Sequence, residues 1–186
     1  MQVSPMAAPG DPHEHPGFQI EELIDAFRSG EGAKRERARR AIVRLGRKAV
    51  PPLISCLSDV DDIVRWEAAK ALKDIPNVSA APALVNALAD PVPGVRWLAA
   101  EALIALREQG LPHLLAGIVR HVDSVWFLES AHHILVVLGR EHVLPRATEE
   151  VLHVLRDYTA SREHLTWSAH RALIEEFGSL SDTLPK

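Results

Sequence analysis

Apolar side chains in this chain fall at three- and four-residue intervals, as in Val64, Ala68, Ala71, Leu72 and Ile75, and again in Leu84 and Leu88. That spacing lines them along one side of an α-helix. No segment alternates apolar and polar positions as a half-buried strand does. Prolines stand at the front of apolar stretches, at Pro51, Pro82 and Pro112. The first turn of a helix leaves its amides without intrahelical partners, so a proline there punctuates helices without breaking them.

The helical pattern repeats. Val64-Arg65-Trp66-Glu67-Ala68-Ala69-Lys70-Ala71-Leu72 recurs 31 residues later as Val95-Arg96-Trp97-Leu98-Ala99-Ala100-Glu101-Ala102-Leu103. The stretch Ala49-Val50-Pro51-Pro52-Leu53 precedes one copy and Ala81-Pro82-Ala83-Leu84 the other, with Leu53 and Leu84 again 31 apart. Gly139 to Pro145 echoes Gly46 to Pro52 three periods on, and Trp167 to Leu173 resembles Trp66 to Leu72. Self-similarity at roughly 30–45 residues marks helix pairs that cannot bury their apolar faces alone and stack on copies of themselves. The spacing predicts an all-α chain of five pairs, at about 17–46, 47–77, 78–108, 109–139 and 140–178. Alanines 68, 69, 71, 99, 100 and 102 are small enough for close helix approach, so the alanine-rich face belongs between the layers.

These features resemble the HEAT repeat family, in particular the short HEAT-like repeats first described in phycobilisome lyase subunits. The resemblance covers residues 46 to 139 well and the flanks more loosely. It rests on the apolar helix opening Ala-Val-Pro-Pro-Leu, an aspartate in the turn (Asp59, Asp90), and Val-Arg heading an alanine-rich second helix. It implies a right-handed α-α superhelix in which Asp59, Arg65, Asp90 and Arg96 satisfy turn backbone and form a ladder along the solenoid. The fourth pair departs from the pattern: whether Leu103 aligns with Ile134 or Leu135, no arginine occupies the Arg96 place, and Trp126-Phe127 opens that helix instead. The ladder is expected to break there.

Composition narrows the class. The 186 residues are 47% hydrophobic and 25% charged, enough for one elongated core over 17–178, between an N-terminal tail (1–16, rich in proline) and a C-terminal tail (179–186). A single cysteine, Cys56, excludes an internal disulfide and falls on an apolar helix face. There is no bilayer-length apolar run and no signal-peptide pattern, so the expected compartment is the cytoplasm, with no membrane contact.

Charge is uneven. Eight basic residues between Lys34 and Lys48 (Lys34, Arg35, Arg37, Arg39, Arg40, Arg44, Arg47, Lys48) stand against Glu36, a local +7 in a chain of −4, leaving −11 elsewhere. This stretch is the one candidate contact for nucleic acid, but an acidic remainder repels phosphate along any longer groove. Its simpler account is a solvated end-helix face, with Arg35 and Arg39 free of any core role.

For binding chemistry, Trp66 and Trp97 hold identical places in successive second helices, and Trp167 the matching place in the last. Where second helices line a concave face, as the resemblance implies, such indoles form an aromatic row of the kind that anchors partners; the competing account is indoles stacked for packing alone. The candidate strip is Trp66, Glu67, Lys70, Trp97, Leu98, Glu101, Trp126, His132 and Trp167. Trp97 and Glu101, four apart on one helical face, resemble the aromatic–acid arrangement of HEAT-like alkylpurine DNA glycosylases, without their basic channel. HEAT-like deoxyhypusine hydroxylase takes iron through His-Glu pairs where this chain has Trp66-Glu67 and Trp97-Leu98, so neither that activity nor a metal is expected. Glu129/His132, Glu150/His153 and His13-Glu14-His15 have metal-ligand spacing but no convergent further ligands in the sequence. There is no nucleophile elbow, phosphate loop or cysteine pair. The sequence therefore favours a noncatalytic protein-interaction module without cofactor, binding a protein or peptide, over a HEAT-like enzyme or enzyme subunit such as a bilin-lyase-like or DNA-base-processing protein.

Overall fold

The computed structural model describes residues 16–157 and 161–178. The expected tails 1–16 and 179–186 lie outside these residues, apart from Pro16, as does His13-Glu14-His15. Ten α-helices are described, in five successive pairs at the places the repeat predicts: α1 (Pro16–Asp25) with α2 (Gly32–Leu45), α3 (Val50–Cys56) with α4 (Asp62–Asp74), α5 (Ala81–Ala87) with α6 (Pro93–Ala105), α7 (Leu111–Arg120) with α8 (Val125–Arg140), and α9 (Arg146–Arg156) with α10 (Arg162–Phe177).

The first helices of the middle repeats are short, seven residues each in α3 and α5. Helices of that length do not persist alone in water, so their stability comes from the faces they bury. A 3-10 turn leads into each of α3, α5 and α7, and a proline occupies their first positions. α4 and α8 begin on side-chain caps: the Asp61 carboxylate accepts from the Ile63 amide and the Ser124 hydroxyl from the Phe127 amide.

Second helices stack in a layer, α2 on α4 on α6 on α8, and the α4–α6 contact is the most extensive in the molecule. Alanines 68, 69, 71, 99, 100 and 102 are all buried, which lets the two helices approach closely. The buried apolar residues, Ile20 apart, form one cluster running from Phe27 to Leu173.

The fifth pair breaks the order. α10 packs on α7 and α9, while α9 packs on α8, so first and second helices exchange places at this end. The turn before this pair also differs. Gly46 ends α2 with φ +60°, but its sequence echo Gly139 is helical, and α8 continues to Arg140 before the chain turns at His142 with φ +56°. No 3-10 turn leads into α9. Its orphan amides at Ala147 and Thr148 donate instead to Glu176 of α10, at 2.6 and 3.1 Å. Trp167 therefore does not continue the row of Trp66 and Trp97, contrary to the alignment.

Candidate functional site

Three arginines occupy one structural place near the start of successive second helices. The Nη1 of Arg35, Arg65 and Arg96 each donates to the carbonyl oxygen six residues back, on Ser29, Asp59 and Asp90, at 2.7, 2.9 and 2.8 Å. The remaining donors differ. Arg65 holds Asp90 through Nε and Nη2 at 2.7 and 3.2 Å, and Arg35 lies 3.3 Å from Glu67. Asp59 is taken by Arg28, at 3.0 and 2.7 Å, a residue that the sequence marks only by standing one period upstream. Asp59 and Asp90 also accept from the amides of Asp61 and Val92, so each carboxylate ties its own turn to the preceding repeat. The Arg28 guanidinium, helped by the Asp61 amide, brings the Asp59 carboxyl down to about 2.

The ladder ends at Arg96. Counted back from the cap residues Asp61, Val92 and Ser124, the place of Asp59 and Asp90 falls on Val122, and counted by 31 it falls on His121. Neither side chain is a carboxylate. Among the described residues Nε and Nη2 of Arg96 have no acceptor, and its guanidinium lies 4.8 Å from the centre of the Trp126 ring.

The same junction opens the indoles. Trp66 lies against Gly94, where a Cβ would come within 3.2 Å of its ring, and the Lys70 ammonium stands 4.5 Å over it, so Trp66 is half-buried. Gly94 is the second residue after its cap; one repeat on, that place holds Trp126. Trp97 thus has no glycine to lie against. It is 56% exposed and Trp126 is 50% exposed. Trp97 instead leans on the His133 ring of α8, centroids 4.9 Å apart. Nε2 of His133 is 3.6 Å from Glu101, which also lies 3.8 Å from Lys73. Glu101 thus stands between Lys73 of α4 and the His133 ring of α8.

Several expected strip residues stand elsewhere. Glu67 is only 2% exposed, held at 2.6 Å by Arg39, which is itself buried. This overturns both a surface role for Glu67 and the notion that Arg35 and Arg39 have no core role: two of the eight basic residues serve one buried carboxylate. Leu98, at the Glu67 place of the next repeat, is buried in the core. Trp167 is exposed, with Arg171 of its own helix over its ring at 4.8 Å. His132 faces away from Trp97 and lines a cavity of about 500 Å³ with Val125 and Leu128 of α8, Leu155 of α9 and Leu165 of α10. Burial, with Arg156 and His133 nearby, lowers its pKa. The sequence offered no sign of this cavity, because it exists through the exchange of helices in the last pair. Among the described residues no three His, Cys, Asp or Glu side chains converge on a metal position, and Glu150 pairs with Arg171.

The family model for HEAT repeats matches residues 20–125 and so stops one residue before Trp126. No curated protein matches the chain.

Proposed function

This chain belongs to the HEAT repeat family, whose domains are typically protein-interaction modules, and from that premise we propose that it is a noncatalytic binding module whose contact surface is the open face of α6 and α8. The observation that supports this is the pair of indoles Trp97 and Trp126, each at least half exposed on adjacent second helices. Tryptophan carries a large apolar area and few rotatable bonds, and it dominates interface energies when it anchors a partner. The surface is framed by Arg96, Glu101 and His133, with Trp66 and Lys70 continuing it onto α4. Its ligand is a peptide segment or helix of another protein, laid along the second-helix layer on what the family resemblance makes the concave side.

The test is selection of random-sequence peptides displayed on phage against the wild-type chain. Selected peptides should lose at least about tenfold in affinity for a Trp97→Ala, Trp126→Ala variant that keeps its helical circular dichroism. Peptides that bind the variant as tightly as the wild type contradict this surface.

A further inference from the structure

Arg96 is a ladder arginine with which no carboxylate among the described residues pairs. We infer that its open Nε–Nη2 edge is the receptor for an aspartate or glutamate of the bound protein segment, so that the partner supplies the rung that the fourth repeat lacks. The inference rests on the binding surface proposed above and specifies what that surface recognises.

The molecule itself shows what this edge accepts. One repeat upstream, with the same anchoring of Nη1 on the turn carbonyls, Arg65 presents Nε and Nη2 to Asp90 and holds it through both oxygens. Arg96 is anchored in the same way, on the carbonyls of Asp90 and Pro91 at 2.8 and 3.1 Å. Its fork is thus fixed before any ligand arrives, which reduces the ordering cost of binding. Acids in the flanking turns are already committed: Asp90 to Arg65 and the Val92 amide, Asp123 to Arg162. Neither unpaired nitrogen of Arg96 is sealed from solvent: the buried side-chain nitrogens that lack a partner belong to other residues. The Trp126 ring lies 4.8 Å from the guanidinium and offers apolar surface beside its unpaired donors. An acidic side chain adjoining an apolar one fits this pair. A nucleic-acid backbone does not, since it brings a run of phosphates and the chain outside residues 34–48 carries −11.

Selected peptides are resynthesised with each Asp changed to Asn and each Glu to Gln, and titrated calorimetrically against wild type, Arg96→Gln, Arg96→Lys and Val122→Asp. On wild type, one of these changes should cost at least about tenfold, the size expected of a charge-assisted bidentate bond. On Arg96→Gln the same change should cost less than about twofold. Arg96→Lys, which keeps the charge and loses the fork, should bind at least about tenfold more weakly. Val122→Asp puts a carboxylate at the rung position counted from the cap and should weaken the acidic peptide while circular dichroism stays helical, which keeps the test decisive if Arg96→Gln unfolds. Peptides with no acid dependence, or an acid dependence equal on wild type and Arg96→Gln, overturn the role of Arg96; the surface itself still stands if those peptides need Trp97 and Trp126. Peptides indifferent to both tryptophans overturn the surface and this inference together.

Discussion

Glu67 of α4 lies 2.6 Å from Arg39 of α2, and both residues are largely buried, so the first two repeats are joined by a buried ion pair. Arg35 adds a second cation at 3.3 Å. Removing one partner of such a pair leaves an uncompensated buried charge. Glu67→Ala should therefore lower the unfolding free energy by about 3–5 kcal/mol, measured by urea titration. Replacing Arg39 and Glu67 together with apolar residues of similar volume should recover much of that loss.

Gly117 in α7 has no unusual backbone, yet a Cβ there would sit 2.5 Å from Val85 and 2.7 Å from Phe127, which is fully buried. Alanine in place of helical glycine normally gains up to about 1 kcal/mol. Here the clash wins, because both neighbours are packed in the core, and Gly117→Ala should destabilise the chain by about 1–3 kcal/mol. Thermal unfolding of the variant decides the sign.

The Asp59 carboxyl, held down to about 2 chiefly by Arg28, stabilises the fold while it is ionised. Its unfolded value is near 3.9, so the contribution is complete above that value and is lost as pH falls toward 2. Melting temperatures of wild type and Asp59→Asn should differ by a constant amount above about pH 5 and converge as the pH approaches 2. A gap independent of pH means that the pair with Arg28 contributes nothing.

Cys56 is buried on α3, and burial pushes its thiol up to about 11. The thiolate is the reactive form. An aromatic disulfide reagent at pH 8 should therefore modify the native protein far more slowly than the urea-unfolded chain, with one thiol released per chain on unfolding.

The five pairs were legible because their signals are local and repeated: the apolar spacing, the prolines opening α3, α5 and α7, and the alanines that end up between α4 and α6. The end of the ladder was only half marked: the sequence shows the missing arginine of the fourth pair, whereas the open rung is the carboxylate absent at His121 and Val122, opposite Arg96. Glu67 was not legible. Its burial depends on Arg39, 28 residues away on another helix, and no property of Trp66-Glu67 distinguishes that position from an exposed one. The difference between Trp66 and Trp97 has a similar origin, since it rests on whether glycine or Trp126 stands opposite in the following repeat. The fifth pair misled through likeness: Gly139 and Trp167 echo Gly46 and Trp66, but α8 runs past Gly139 and α10 docks on α7.

The central claim, that the working surface is the junction of α6 and α8 where the ladder ends, is tested most directly by the four indole N–H resonances in a ¹H–¹⁵N spectrum, assigned with single Trp→Phe variants. Adding a phage-selected peptide should move the Trp97 and Trp126 signals strongly, Trp66 weakly and Trp167 not at all. Shifts confined to Trp167, or none on Trp97 and Trp126 at saturating peptide, would place the binding site elsewhere and contradict the account.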